Sequence, residues 1–272
     1  MKPIILVPTD FSENALLAAR FAVNVAAHLN ANISLLHAFT WLNSAFQSGQ
    51  ENEYNRKDAE QNARHEMAEF VAHFQETTVS INSIVTEGHL PEAIDRIISG
   101  SNVLLVVMGT TGASGLKYHV LGSNTFAVAK QLTKVPLVVV PPGILSFNLN
   151  KVAFFTDFNP GDLHTISSFK KVFSPLPEEI HFIHFGRPEN RNDEELRLAE
   201  WSQTIQNESG IPGLKWSWVE GEEGVEAVAR LDEKYDMIIL TLAERGFFDN
   251  LLTKSMAKEL IHQSQIPVFL SK

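Results

Sequence analysis

Val103-Leu104-Leu105-Val106-Val107-Met108 runs straight into Gly109-Thr110-Thr111-Gly112, and after nine further residues the chain reads Gly122-Ser123-Asn124-Thr125. An unbroken apolar run of this kind suits a parallel strand buried on both faces, and open α/β sheets place ligands beyond the C-terminal ends of such strands. Glycine there lets the backbone come close to a ligand and turn its N–H groups toward phosphate oxygens. Ser123 is placed to cap the next helix, whose free amides and dipole favour an anion. The spacing predicts a strand, a phosphate cradle and a helix, in that order. An ordinary βα connection is the plainer reading of the same glycines, and context has to decide between the two.

Toward the N-terminus, Ile4–Val7 reads as a short buried strand and Pro8-Thr9-Asp10-Phe11-Ser12 as the turn that leaves it. Ala15, Ala18, Ala19, Ala22, Val25, Ala26 and Leu29 then recur at helical spacing, with Ser12 as N-cap and Asn30 as stop. Ile33–Phe39 is a second strand. The polar stretch from Thr40 to about Lys57, containing Trp41 and Phe46, is expected to be irregular, a cover over a site or a mobile loop. Met67, Phe70, Val71 and Phe74 mark one face of a helix ending near Glu76, Val79–Glu87 is a third strand and Pro91–Ser99 a short helix. Val135–Val140 supplies a fifth strand. Strands alternating with helices predict right-handed crossovers and a parallel sheet.

Pro141-Pro142-Gly143 interrupts this pattern, which then starts again. Lys151–Thr156 is a strand, and Asn159-Pro160 suits the N-cap and first position of a helix. Thr9-Asp10-Phe11 answers to Thr156-Asp157-Phe158, His37 to His184, Pro91-Glu92-Ala93-Ile94 to Val225-Glu226-Ala227-Val228, and Val135-Pro136 to Ile266-Pro267. The repeat predicts two homologous α/β domains, over residues 1–142 and 150–272, each an open five-stranded parallel sheet, in preference to one continuous sheet. Matching Met237–Leu242 to the fourth strand sets Gly109 against Ala243, Thr110-Thr111 against Glu244-Arg245, Gly112 against Gly246, and Gly122-Ser123 against Thr253-Lys254. On that alignment the second half keeps the scaffold and loses the cradle.

The chain has a formal net charge of −10, which argues against a general nucleic-acid or anionic-membrane surface, and it has no cysteine, which removes disulfides, thiol nucleophiles and zinc–thiolate sites. No stretch approaches the roughly 18 apolar residues of a membrane span, and the first residues are too short an apolar run for a signal peptide. The expected compartment is the cytoplasm. Asp10 is either a turn residue, in a capping box with Glu13, or a ligand contact; the second reading is favoured because Asn159, the counterpart of Ser12, is the residue placed to cap. Lys117 and His119 read as solvated loop residues, and His37 and His184 as hydrogen-bonded structural histidines within apolar strands. His181 and His184 face opposite sides of a strand, and His65 and His73 lie two helical turns apart, so neither pair suits a metal. There is no Walker loop, G-x-G-x-x-G fingerprint or nucleophile elbow, and no residue is placed to activate water.

Taken together, the G-x-x-G spacing, nine residues and G-[ST], with Asp10 after the first strand and the internal repeat, resemble the universal stress protein family in its tandem form over essentially the whole chain. The resemblance implies Rossmann-like domains of the adenine-nucleotide alpha hydrolase kind and an ATP site in the first half, with magnesium or another divalent ion at the phosphates. It implies that Asp10 and the adjoining Pro8 and Thr9 hold the adenosine end. Met108, Gly109, Gly112, Gly122 and Ser123 then surround the phosphates, with Asn124 and Thr125 also within reach. It further implies pairing of the fifth strands, Val135–Val140 against Pro267–Ser271, as an intramolecular pseudo-dimer, with a further homodimer open. The expected function is an ATP-binding, regulatory or protective stress-response protein with no catalytic residue. A slow ATPase or phosphotransferase, or an adaptor for a protein or small apolar ligand, are the alternatives.

Overall fold

The computed structural model describes residues 2–42, 46, 48–110, 122–132, 134–144, 146–211, 213–220, 234–242 and 264–272. The first half runs β1 (Ile4–Pro8), α1 (Glu13–Leu29), β2 (Asn32–Phe39), α2 (Gly49–Ala72), β3 (Ile81–Glu87), α3 (Leu90–Gly100), β4 (Val103–Gly109), α4 (Ser123–Gln131) and β5 (Leu137–Val140). The second runs β6 (Lys151–Phe155), α5 (Asp162–Val172), β7 (Glu179–Gly186), a 3₁₀ turn (Pro188–Asn190), α6 (Arg191–Ser209), β8 (Lys215–Glu220), β9 (Met237–Thr241) and β10 (Val268–Ser271). The segments 225–228 and 243–254 that the sequence matches to the first half lie outside the described residues.

The ten strands form one sheet in the order β3-β2-β1-β4-β5-β10-β9-β6-β7-β8, so each half contributes five strands in the same winding order. Every neighbouring pair is parallel except β5 with β10, which run antiparallel with Val139 opposite Val268 and Leu137 opposite Leu270. The two five-stranded α/β halves are both present, and the β5–β10 pair joins them into one continuous sheet. The last strand of each half is wholly buried and, apart from Ser271, apolar, and a bare apolar edge leaves a row of unpaired backbone groups.

Side chains alternate between the two faces, as a pleated strand requires: Ile5 and Val7 pack on the side of α1 and α5, while Leu6 packs with Ala93 and Val128 of α3 and α4. Small residues on α1, namely Ala15, Ala18, Ala19 and Ala22, are buried and let that helix lie close to the sheet. Ser12 caps α1 by accepting from the Ala15 amide, and Asn30 ends it in the left-handed conformation with φ of 51°.

Helix α2 starts at Gly49, inside the stretch whose lack of apolar periodicity reads as a loop. A capping box starts it: Ser48 Oγ accepts from the Glu51 amide at 3.2 Å, and the Glu51 carboxylate accepts from the Ser48 amide at 2.8 Å. Ion pairs of Glu53 with Arg56 and Lys57, and of Glu60 with Arg64, then support a polar turn-by-turn helix. Trp41 and Arg56 both donate to Glu87 at the end of β3, which ties this segment down. Helix α5 differs in the other direction. Asn159 accepts from the Gly161 amide through its own side chain, so the chain turns once more before the helix begins at Asp162.

Between the halves, the ring of Phe147 lies 5.6 Å from Phe21 of α1 and 5.8 Å from Phe173, which follows α5 and packs in turn on Phe269 of β10. Replacing Phe147 by alanine is expected to lower stability by about 1–3 kcal/mol, less than for a fully buried ring because this one is half-buried. The loss would be read as a lower melting temperature.

Asp162 is fully buried at the start of α5, where its Oδ2 accepts from Thr156 Oγ1 at 2.5 Å and from Trp201 Nε1 at 3.1 Å. Burial pushes its carboxyl above the usual range, with the two donors opposing that rise. The folded chain therefore holds this proton more tightly than the unfolded one. Its contribution to stability falls as pH rises from about 4 through the elevated folded value. Asp162→Asn is expected to remove that decline and to melt no lower than wild type at neutral pH, as a series of melts across pH would register.

Candidate functional site

In the first half the winding reverses between β1 and β4, and this opens a crevice beyond their C-terminal ends. A cavity of about 320 Å³ occupies it, lined by Pro8, Thr9 and Asp10 from the end of β1, Met108 and Gly109 from β4, and Gly122, Ser123, Asn124 and Thr125 at the start of α4. All of these are sequence candidates. The remaining candidate, Gly112, lies outside the described residues, as do Lys117 and His119. Ala15, His37, Ala38 and Leu90 complete the lining and were not among them.

The turn after β1 is strained in a way that directs Asp10. Phe11 takes a φ of 62°, in the left-handed region that bulky residues avoid. Its amide donates to Thr9 Oγ1 at 3.0 Å, and its ring lies 4.3 Å from His37 and 5.8 Å from Phe70. The Nδ1–H of His37 donates to the Thr9 carbonyl at 2.8 Å, since a carbonyl can only accept. Asp10 Oδ1 accepts from the Ser12 amide at 3.2 Å and from Ser12 Oγ at 2.6 Å. Ser12 therefore has two tasks, capping α1 and setting the Asp10 carboxylate.

Across the crevice, Gly122 and not Ser123 is the N-cap of α4, and no side chain caps that helix. The expectation of a serine cap is thereby corrected: Ser123 is the first helical residue, because Gly122, with φ of −51° and ψ of 138°, stays outside the helical region and its amide is held by the Thr110 carbonyl at 2.8 Å. The first helical bond runs from the Phe126 amide to the Gly122 carbonyl, so the amides of Ser123, Asn124 and Thr125 make no intrahelical bond. There is no acidic residue in this first turn to oppose the dipole. Thr125 Oγ1 donates to the Gly109 carbonyl at 2.9 Å, which fastens the helix start to the end of β4. A Cβ on Gly109 would stand 3.2 Å from the Asn14 carbonyl oxygen, closer than a side chain normally comes. Any side chain there would need α1 to give way by a few tenths of an ångström. The cavity is thus lined both by the start of α4, whose first three amides make no intrahelical bond, and by the carboxylate of Asp10 set by Ser12.

The second half repeats the turn closely. Phe158 has a φ of 58°, its amide donates to Thr156 Oγ1, and His184 Nδ1–H donates to the Thr156 carbonyl with its ring 4.4 Å from Phe158. The strand register, however, corrects the alignment of the glycines. Gly109 lies opposite Val140 on β5, and the residue in the same place on β9, opposite Ser271 of β10, is Thr241 and not Ala243. The amides that follow, of Thr110 and Leu242, donate to the carbonyls of Val140 and Ser271 and confirm the match. The two fourth strands have similar apolar composition, which allows a slip when only the sequence is compared.

Among the described residues no helix is long and apolar enough to cross a membrane, and no group of three or more acidic, histidine or cysteine side chains could hold a metal ion. The family profile of the universal stress proteins matches residues 1–141. The chain is 28% identical over 152 residues to the universal stress protein MJ0577 of Methanocaldococcus jannaschii, a match covering 50% of this chain and 93% of that protein. A universal stress protein from Archaeoglobus fulgidus superposes with a TM-score of 0.70 at 19% identity, covering 99% of this chain and 98% of that one. A protein of unknown function from Pseudomonas aeruginosa, PA1789, superposes with a TM-score of 0.58 at 14% identity over 100% and 92% of the two chains. The two full-length likenesses concern the fold, and the family profile covers the half that contains the crevice. With its repeated turn, its five-strand winding order and this match, the chain belongs to the universal stress protein family.

Proposed function

We propose that the first-half cavity binds one adenine nucleotide, ATP in the first instance, and that the chain serves as a nucleotide-dependent stress-response protein of the cytoplasm. The observation that carries this reading is the convergence of three α4 amides, which make no intrahelical bond, with Gly109 and Gly122 on the cavity that Asp10 also lines. Phosphates fit the amide end, where no acidic side chain opposes them. The adenosine fits the end formed by Pro8, Thr9, Asp10, His37 and Ala38, where one carboxylate and apolar walls meet. The cavity volume lies within the range of small-ligand pockets. A divalent ion would accompany the phosphates. Domain limits of 1–142 and 150–272 follow from the repeat, and the antiparallel β5–β10 pair acts as the interface of an intramolecular pseudo-dimer.

Saturating MgATP, at about 100 times the dissociation constant, is expected to stabilise the native chain by about 2.7 kcal/mol. For a chain of this size that corresponds to a rise in melting temperature of about 5–10 °C. Gly109→Val, which crowds the Asn14 carbonyl and projects a branched side chain at the cavity, is expected to abolish the shift. A folded wild-type protein whose melt is indifferent to MgATP would overturn the proposal.

A further inference from the structure

The two crevices share one framework, so their differences can be compared position by position. Counting from Thr9 and Thr156, which make the same hydrogen bonds, Asn14 answers to Gly161 and Ala15 to Asp162. Strand register sets Gly109 against Thr241. Bulk has therefore changed sides. In the first half the strand end is glycine and the helix start is asparagine. In the second the strand end is threonine, and a Cβ on Gly161 would come within 3.0 Å of Thr241 Cγ2. The alanine that lines the first cavity is replaced by a fully buried carboxyl.

That carboxyl is locked in place. Asp162 Oδ2 accepts from Thr156, which directly follows β6, and from Trp201 on α6, and Thr241 on β9 is buried beside it. One side chain thus joins the turn after β6 to two helices at the place where the first half is open.

We propose that the second crevice is closed from within. Asp162, held by Thr156 and Trp201, and Thr241, packed on Gly161, occupy the space that Ala15 and Gly109 leave to a nucleotide in the first half. This rests on the reading of the first cavity as a nucleotide site. The residue pair at 15 and 109, or 162 and 241, determines whether a half binds. A phosphate-bearing ligand entering the second half would have to break two hydrogen bonds of a buried carboxyl and lie against it.

Calorimetric titration of the full chain with MgATP tests this through stoichiometry and through transplantation. One nucleotide per chain is expected for wild type, and Ala15→Asp is expected to weaken binding at least tenfold. The exchange variant Asn14→Gly/Ala15→Asp/Gly109→Thr carries the second half's helix-start and strand-end residues into the first and should also lose binding while melting cooperatively. It secures the test if the single change disturbs folding. Two nucleotides per wild-type chain would overturn the closure and leave the first-half site standing. Undiminished binding by a folded Ala15→Asp or exchange variant would do the same. A wild-type chain that takes up no MgATP would overturn both readings.

Discussion

The antiparallel contact of β5 with β10 is the constraint around which the molecule is arranged. Each half winds its five strands so that a short, wholly buried, mainly apolar strand comes last, and neither could present that edge to water. Pairing the two edges satisfies both at once and turns two small sheets into one of ten strands. The antiparallel sense has a second consequence. Strands of the first half and of the second point in opposite directions, so the crevices beyond their C-terminal ends open on opposite margins of the sheet. Phe147, set between Phe21 and Phe173, holds the connecting segment against this centre.

A second constraint repeats in both halves: a phenylalanine in left-handed backbone directly after the first strand. Such a conformation costs on the order of 1–3 kcal/mol and persists only where its surroundings enforce it. Here the enforcing contacts are the same twice over, a threonine hydroxyl accepting from the phenylalanine amide and a histidine ring held by the threonine carbonyl. The turn persists in the second half although that crevice is filled. Its retention there identifies it as part of the scaffold that joins strand to helix, and the aim it gives Asp10 is a use made of that scaffold.

Much of this was legible in the residues because it depends on local chemistry. The continuous apolar run Val103–Met108, the alanine stripe of α1 with its Ser12 cap, and the Thr-Asp-Phe repeat each act through near neighbours, and each gives its element. What was not legible depends on contacts distant in sequence or on signals other than apolar period. Helix α2 starts early because Ser48 and Glu51 cap it and ion pairs carry it, while its apolar periodicity begins a few turns later. Gly122 caps α4 because the Thr110 carbonyl holds its amide, a bond across the loop. Ala15, His37, Ala38 and Leu90 reach the cavity from three different elements, and only the strand order brings them together. The small side chain one turn into α1, next to the predicted ligand turn, was the available clue to Ala15.

The filling of the second crevice shows what an open one forgoes. A crevice lined by alanine and glycine gives up the packing contacts that a larger side chain would make there. An apolar residue at position 162 would recover them but would take the acceptor from the Thr156 hydroxyl and the Trp201 Nε1–H. Asp162 instead leaves one carboxyl oxygen, and the hydroxyls of Thr165 and Thr241, buried without a hydrogen-bond partner among the described residues. In return its other oxygen ties the turn after β6 to α6 through Thr156 and Trp201, a directional connection that a leucine could not make. Because the antiparallel junction sets the two crevices on opposite margins, this closure changes nothing around Asp10 or α4. One half therefore keeps an open, incompletely packed crevice, while the other has an internal network in its place.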